Sequence, residues 1–308
     1  MYAITQDAFG GPEVLYRTEV ERPRPAAGEV LVRVHAAGVN PVDSAVRNGY
    51  FPLFTAPPFA LGWDVAGVVE ELGPEVTGFE IGAEVLGLSA FPKAANAYAE
   101  YAVVAAADLV RKPAALSMSE AGALPLAGLT AWQALARIAD VAAGQRVLIH
   151  AAAGGVGHLA VQIAKARGAY VLATARTENH AFLDELGADE LIDYTTVDFA
   201  VATEPVDVVL DLVGGETAKR SLALLKPGGL LVTTVGHDPG ITAEEAEQHG
   251  VRFETVFVAP SAADLTELTA LADTGALRVH VARELPLADA AKAHETSGSA
   301  KGKTVLIP

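Results

Sequence analysis

A glycine-rich turn at residues 150–157 constrains the fold of this chain more than any other segment. The run Val147–Ile149 before it is apolar and rich in β-branched residues, as is typical of a parallel strand buried on both faces. Gly154, Gly155 and Gly157 allow the backbone to approach a ligand closely, and the apolar helix predicted next directs unpaired N–H groups to the same place. The segment therefore predicts a strand, a turn and a helix that together bind a pyrophosphate.

The glycine pattern is incomplete, because Ala151 and Ala152 stand where G-x-G-x-x-G has its first glycine. A glycine cluster alone also fits an ordinary turn. The strand before it and the helix after it, from about Val156 to Arg167, favour the nucleotide site.

The chain after this turn alternates strands with helices. The predicted strands are 170–175, 191–193, 206–211, 230–235 and 253–258. The predicted helices are 178–186, 216–225, 242–249 and 262–273. Strands joined by helices of this length predict a parallel sheet with right-handed crossovers, a doubly wound α/β fold.

The two ends of the chain have a different pattern. The N-terminal part offers short strands broken by Gly and Pro, which is typical of a small β-barrel. These strands are predicted at 30–36, 66–72, 84–88 and 99–104. Short strands return from residue 278, with one helix at 288–294. We therefore expect a discontinuous domain of residues 1–122 and 278–308, and a nucleotide-binding domain of residues 123–277 that begins with a helix at 126–138.

The end of the second strand of the nucleotide-binding domain indicates which nucleotide binds. A site for the unphosphorylated cofactor usually has an Asp or Glu there, whereas a 2′-phosphate needs donors and positive charge. Thr174 and Arg176 occupy this place, and Glu178, the first carboxylate, is predicted to lie already in the next helix. A hydroxyl and a guanidinium favour NADP(H), although a single Arg also fits a solvated loop.

Five segments in order resemble those of the medium-chain dehydrogenases/reductases, and within them the zinc-free quinone oxidoreductases. The segments are Asn40-Pro41-Val42-Asp43, residues 62–67, Leu129-Thr130-Ala131, residues 150–157 and Gly302-Lys303. The resemblance covers nearly the whole chain. It implies a GroES-like β-barrel catalytic domain beside a Rossmann domain, and commonly a homodimer.

The zinc site of the alcohol-dehydrogenase branch is not expected here. That site needs thiolate and imidazole ligands, but the chain has no cysteine, Asn40 stands at the first cysteine position, and Trp63-Asp64 replaces a His-Glu pair. Without a Lewis acid, a suitable acceptor is a conjugated electrophile whose negative charge delocalises onto an oxygen. We therefore expect an NADPH-dependent reductase of quinones or similar conjugated carbonyls. An enoyl or enone (2-alkenal) reductase, or a non-catalytic NADPH-binding structural or sensor protein, is an alternative.

Candidate catalytic and substrate residues lie in segment 40–63. The resemblance places Asn40 near the cofactor, where its amide could hold the nicotinamide ribose or the substrate oxygen. It also matches Tyr50 to a tyrosine treated as a proton donor in related enoyl reductases, although Tyr50 equally fits an apolar lid. Aromatic side chains around them suit either a flat substrate or an apolar core. The candidate pocket residues are Phe51, Phe54 and Trp63.

Further cofactor contacts follow from the resemblance. Thr130 is expected at the pyrophosphate or nicotinamide, Tyr194 at the 2′-phosphate, and Lys303 to reach the cofactor from the C-terminal part. Others follow strand ends, where open α/β sheets bind ligands. These are Leu212, Val213, Val235, Gly236, Phe257 and Val258.

Composition limits the partners. The net charge of −16 opposes the phosphate backbone of nucleic acids. No apolar run has transmembrane length, and the first residues lack a basic-apolar signal pattern. We expect a cytoplasmic protein that binds a small conjugated carbonyl. The apolar segment 252–258, at the end of the sheet order, predicts pairing with a second copy.

Overall fold

The computed structural model describes residues 1–51, 56–296, 298 and 300–308, and the chain divides into two compact units. The first unit contains residues 1–129, 259–275 and 279–308, and the second contains residues 130–258 and 276–278.

Strands and helices are numbered along the chain. The strands are β1 Tyr2–Gln6, β2 Tyr16–Glu19, β3 Glu29–Val39, β4 Phe59–Ala60, β5 Asp64–Leu72, β6 Glu84–Leu88, β7 Tyr101–Ala105, β8 Leu109–Arg111, β9 Arg146–Ile149, β10 Tyr170–Thr174, β11 Glu190–Ile192, β12 Val206–Asp211, β13 Leu225–Thr233, β14 Arg252–Thr255, β15 Val281–Pro286 and β16 Lys303–Ile307. The helices are α1 Pro41–Arg47, α2 Met118–Ala123, α3 Pro125–Trp132, α4 Gly157–Ala166, α5 His180–Glu185, α6 Phe199–Ala202, α7 Gly215–Ser221, α8 Ala243–Gln248, α9 Ala262–Asp273 and α10 Ala290–Glu295. Helix α3 continues as a π-helix, Gln133–Ile138.

The first unit is built mainly from antiparallel strands. A three-stranded sheet has the order β2-β1-β4, and a seven-stranded sheet has the order β15-β16-β3-β5-β6-β8, with β7 also paired to β3. The long strand β3 is central, and Val30, Leu31 and Val32 are fully buried in it. The sheet contains the four strands predicted for the N-terminal part. Helices α1 and α2 were not predicted.

The second unit contains a six-stranded parallel sheet in the order β11-β10-β9-β12-β13-β14. Numbered within the unit this is 3-2-1-4-5-6, the order of a Rossmann fold, so the doubly wound prediction is confirmed. Central strand β9 is sealed from solvent, with Val147, Leu148 and Ile149 at 0% exposure.

Two predicted element boundaries are wrong in this unit. Strand β13 begins at Leu225, so Pro227-Gly228 lies inside it rather than ending a helix, and its pairing with β12 is irregular there. Strand β14 ends at Thr255, short of the predicted Val258. It lies at the edge of the sheet, and Phe257 beyond it is 57% exposed.

Helix α9, which the sequence analysis places in the nucleotide-binding domain, packs against β8 and belongs to the first unit. The domain boundaries at residues 122 and 278 therefore stay a proposal. Over the described ranges, none of the helices is long and apolar enough to cross a membrane.

Candidate functional site

The glycine turn joins β9 to α4 with very little free space. A Cβ atom on Gly157 would lie 2.5 Å from the carbonyl oxygen of Ala151 and 2.7 Å from the Cα of Ala152, so a larger residue does not fit. The left-handed backbone of the turn falls on Ala151, with a φ of 47°. Ala152 replaces the first glycine of the pattern without needing that conformation.

Helix α4 starts directly after this turn. It has ten residues, and its N-cap residue is Val156, whose apolar side chain makes no capping hydrogen bond. The positive end of the helix dipole therefore faces the turn that includes Gly154 and Gly155. This arrangement fits a bound anion such as a pyrophosphate.

The other predicted cofactor residues of the second unit follow the carboxyl ends of parallel strands. Because the strands run the same way, these residues lie along one edge of the sheet, the edge formed by the carboxyl ends of its strands. They are Arg176 after β10, Tyr194 after β11, Leu212 and Val213 after β12, Val235 and Gly236 after β13, and Phe257 and Val258 after β14. Tyr194, Val213 and Phe257 are each about half exposed. The edge is the place where a Rossmann sheet binds its ligand.

Arg176 and Tyr194 lie together at this edge. The Arg176 guanidinium lies beside the Tyr194 hydroxyl, a contact that raises the pKa of Arg176. Asp193 connects the segments that follow β10 and β11. Its carboxylate accepts hydrogen bonds from the backbone N–H groups of Thr177 at 2.8 Å and of Thr195 at 2.9 Å. Hydrogen bonds from the hydroxyls of these two threonines lower the pKa of Asp193, so it stays charged. Asp193 thus fixes the backbone directly after Arg176 and after Tyr194, and the Arg176 guanidinium lies at an exposed position.

Thr174 has a different environment from the one predicted. It is 2% exposed, and its Oγ1 lies 3.0 Å from Nδ1 of His150. The other ring nitrogen, Nε2, lies 2.9 Å from Oγ of Ser221, whose hydroxyl donates to the carbonyl of Thr217. Ser221 therefore accepts from Nε2–H, and the Thr174 hydroxyl donates to Nδ1. The Thr174 hydroxyl proton is therefore used in a hydrogen bond inside the fold and does not face the exposed edge.

Asn40 and Lys303, both predicted near the cofactor, lie together in the first unit with Asp64. Asn40 Nδ2 donates to Asp64 Oδ2 at 2.8 Å, and Lys303 Nζ donates to Asn40 Oδ1. Lys303 also donates to the carbonyl of Val39 at 3.0 Å. Asn40 is 1% exposed, Asp64 0% and Lys303 4%. Burial raises the pKa of Asp64 and lowers that of Lys303. The opposite charge of each group partly offsets the pKa shift of the other.

A second buried chain of hydrogen bonds runs through helix α1. Arg47 donates to His294 Nδ1 at 2.8 Å, and His294 Nε2 lies 3.2 Å from the hydroxyl of Tyr98. The Tyr98 hydroxyl also lies beside Asp43, which accepts hydrogen bonds from the backbone N–H groups of Asn40 and of Gly62. Burial raises the pKa of Asp43 to about 7 and lowers that of His294 to about 3. Both ends of α1 are therefore fixed by polar contacts.

The candidate substrate residues differ in exposure. Tyr50 is 83% exposed, and Phe51 is partly buried. Trp63 is 1% exposed, donates its indole N–H to the carbonyl of Lys93 at 2.7 Å and packs edge-on against Phe91. Phe54 lies outside the described residues. Thr130 is 6% exposed, on helix α3.

Sequence reasoning missed the residues that hold the candidates in place. In the sequence, Asp43 and Asp64 are recognisable only as members of motifs, and no local pattern marks Tyr98, His150, Asp193 or His294. One local signal was available. Asn40, Pro41 and Asp43 occupy the N-cap, N1 and N3 positions of α1, a capping-box pattern that predicts a helix start.

In the described part of the chain, no three His, Asp or Glu side chains come together as a metal site would need.

Comparison with known proteins covers both units. A family profile described as alcohol dehydrogenase GroES-like domain matches residues 26–114, and one described as zinc-binding dehydrogenase matches residues 186–306. The quinone oxidoreductase of Sus scrofa is 34% identical over 324 residues, covering 100% of this chain and 98% of its own.

Solved structures agree with these matches. The quinone oxidoreductase from Coxiella burnetii superposes with a TM-score of 0.95 at 39% identity, covering 100% of this chain and 99% of its own. The Escherichia coli quinone oxidoreductase complexed with NADPH gives a TM-score of 0.91 at 32% identity, with 100% of both chains covered. The CurK enoyl reductase gives 0.90 at 30% identity, covering 99% and 98%. The predicted GroES-like and Rossmann architecture is confirmed.

Proposed function

Since the chain belongs to the quinone oxidoreductases of the medium-chain dehydrogenase/reductase superfamily, we propose that it transfers hydride to a quinone or a similar conjugated carbonyl. It is an NADPH-dependent oxidoreductase. The proposal adds the class of acceptor and the residues that serve it. The observation that supports the class of acceptor is the full-length similarity to quinone oxidoreductases. The exposed Arg176 beside Tyr194, at the edge that also carries the glycine turn, supports the choice of NADPH.

NADPH fits the residues of the second unit. The glycine turn and the start of α4 would hold the pyrophosphate, and Arg176 and Tyr194 would hold the 2′-phosphate. Bound NADPH supplies the hydride. Leu212, Val213, Val235, Gly236, Phe257 and Val258 would contact the remaining cofactor along the sheet edge.

The first unit would serve the nicotinamide side and the acceptor. We propose that Asn40 and Thr130 lie near the nicotinamide, and that Lys303 acts on this site through the Asn40 amide that it contacts. Tyr50 and Phe51 would contact the acceptor, and the exposed Tyr50 hydroxyl could donate a proton to a reduced enone. A reduced quinone oxygen is a stabilised phenolate, which solvent can protonate.

An enoyl or enone reductase is the second candidate function. The observation that favours it is the similarity to CurK enoyl reductase over nearly the full length of both chains. The two functions share cofactor and fold, and they differ in where the hydride is accepted.

Steady-state oxidation of NADPH against a panel of quinones and α,β-unsaturated ketones and aldehydes tests the proposal. We expect kcat/KM to be highest with quinones. Turnover confined to enones would favour the second candidate. NADPH binding without turnover of either class would contradict an enzymatic role and favour a sensor or structural protein.

We also propose that the protein works without zinc, forms a homodimer and resides in the cytoplasm. The dimer proposal rests on β14, which is the last strand of the sheet and leaves one edge unpaired within the unit. Light scattering that shows only the mass of one chain at micromolar concentration would contradict the dimer.

A further inference from the structure

The carboxylate of Asp64 joins two elements that carry residues of the proposed site. Its Oδ2 accepts the hydrogen bond from Asn40 Nδ2 at 2.8 Å, and its Oδ1 accepts one from the backbone N–H of Leu126 at 2.6 Å. Asn40 is the N-cap of α1, and Leu126 lies in the first turn of α3, the helix that carries Thr130. One side chain therefore fixes the starts of two helices.

Lys303 completes the arrangement from the C-terminal strand β16. Its ammonium group donates to Asn40 Oδ1 and to the carbonyl of Val39, and it lies 3.8 Å from Asp64 Oδ2. The Asn40 amide is thus held at both ends, with its nitrogen toward a carboxylate and its oxygen toward an ammonium. A flipped amide would place donor against donor and acceptor against acceptor, so one orientation is strongly preferred.

Stability alone does not explain this ion pair. Taking two charges out of water costs free energy, and an apolar pair of similar volume is often as stable or more stable. The backbone also makes room for the carboxylate, since a Cβ atom on Gly38 would lie 2.2 Å from Asp64 Oδ2. The pair and its hydrogen-bond partners join four distant segments of sequence, at residues 39–40, 64, 126 and 303, which is an arrangement suited to fixing positions.

Resting on the proposed function, we infer that Asp64 and Lys303 are positioning residues for the nicotinamide side of the site. They hold Asn40 and the start of α3 in one geometry and touch neither cofactor nor acceptor. Truncating the pair therefore frees the Asn40 amide, and the binding of the nicotinamide half must then order it again.

The double variant Asp64→Asn/Lys303→Met separates positioning from stability, because it removes both charges together. We expect a Tm close to that of the parent, whereas Lys303→Met alone lowers the Tm by leaving a buried carboxylate unpaired. We expect kcat to fall roughly 100-fold, since small misplacements near the reacting atoms have effects of this size. NADPH affinity should fall about tenfold. Affinity for 2′-phospho-ADP-ribose, which lacks the nicotinamide, should stay at the parent value.

The matched control is Glu84→Gln/Lys112→Met. This pair lies in the same unit with a 3.1 Å contact, and Lys112 otherwise donates to the carbonyls of Pro113 and Leu116. It should retain the kcat and both affinities of the parent. Lys303→Arg, which keeps a cation beside Asp64, should have a higher kcat than Lys303→Met.

Several outcomes would overturn the inference. A double variant with the kcat and NADPH affinity of the parent would make the pair dispensable for positioning. Equal losses of affinity for NADPH and for the fragment would indicate general damage, and so would a Lys303→Arg variant no better than Lys303→Met. In each of these cases an active parent leaves the proposed function standing. A parent chain that does not bind NADPH would contradict the proposed function and this inference together.

Discussion

In the parallel-sheet unit, the proposed cofactor residues follow strand ends and several present their side chains to solvent, whereas in the antiparallel unit Asn40 and Lys303 are buried and bonded to each other. The first arrangement is an open edge that can bind a ligand directly. The second is a polar interior in which the polar groups are hydrogen-bonded to one another. The difference indicates two kinds of contribution, direct binding of a ligand by the strand ends of the second unit and positioning of side chains by the buried network of the first.

Tyr50 is the exception in the antiparallel unit, because it is 83% exposed. Replacing it gives the largest expected effect on kcat. If its hydroxyl donates a proton, Tyr50→Phe should lower kcat with enones by about 10²- to 10⁴-fold, as expected of a general acid. With quinones we expect a small effect, since their reduced oxygen needs the acid least. Steady-state kinetics with both acceptor classes measures this.

NADPH affinity is the control for Tyr50→Phe and should not change. A large and equal loss of kcat with quinones and enones, at unchanged NADPH affinity, would show that this division between the two acceptor classes is wrong.

Arg176→Ala tests the open edge of the parallel-sheet unit. Losing the exposed guanidinium beside Tyr194 should weaken NADPH binding about tenfold, while NADH binding stays the same. Thr174→Val is the matched variant at the end of the same strand. Because the Thr174 hydroxyl donates to His150, this change should weaken both cofactors equally or neither. Fluorescence titration decides between these outcomes, and selective loss of NADPH in Thr174→Val would contradict the buried role of that hydroxyl.

His294→Gln tests the buried network of the antiparallel unit through pH. Burial lowers the pKa of His294 to about 3 from its ordinary value of 6.5, so the imidazole stays neutral in the folded chain at pH values where the unfolded chain protonates it. Its contribution to stability is present above about pH 6.5 and is lost as the pH falls toward 3. The variant should therefore show a smaller fall of Tm with acidification, by a few degrees.

Over part of this pH range, the contribution of Asp43 to stability changes in the opposite direction to that of His294. The pKa of Asp43 is raised to about 7 from 3.8, so its contribution to stability is lost as the pH rises through that interval. Parent and variant therefore have to be compared at each pH. Parallel Tm curves for the two proteins would contradict the assignment of a neutral, buried His294.

Ala151→Gly gives the smallest expected effect, at the turn of the parallel-sheet unit. Ala151 has a φ of 47°, so glycine should raise the free energy of unfolding by about 0.5 to 1 kcal/mol. Ala152→Gly is the control, because this residue does not adopt the left-handed conformation, and it should lower stability by a similar amount. Denaturant unfolding that shows the same sign for both variants would contradict this explanation of the incomplete glycine pattern.

The two units also differ in how far the sequence predicts them. In the parallel-sheet unit, hydrophobic runs and turn residues are local signals, and parallel strands bring their carboxyl ends to one edge automatically. Arg176 and Tyr194, which follow neighbouring parallel strands, therefore lie at the same edge. The hydrogen bond of Thr174 was not predictable, because its partner His150 lies just after the neighbouring strand β9, 24 residues away.

In the antiparallel unit the contacts of the candidate site span much longer distances along the chain. Lys303 and Asn40 are 263 residues apart, and His294 and Arg47 are 247 apart. No periodicity or spacing encodes such pairs, so Asp64, Tyr98 and His294 could be recognised only from the fold. The capping pattern at Asn40 was the exception, since it is local and predicts the start of α1.

Dissociation constants of NADPH and NADH for the unsubstituted chain test the central claim most directly, because the open edge is proposed to recognise the 2′-phosphate. Titration of both cofactors by fluorescence under one set of salt conditions provides them. The exposed Arg176 guanidinium beside Tyr194 predicts clearly tighter binding of NADPH. Equal affinity for NADPH and NADH would contradict the account.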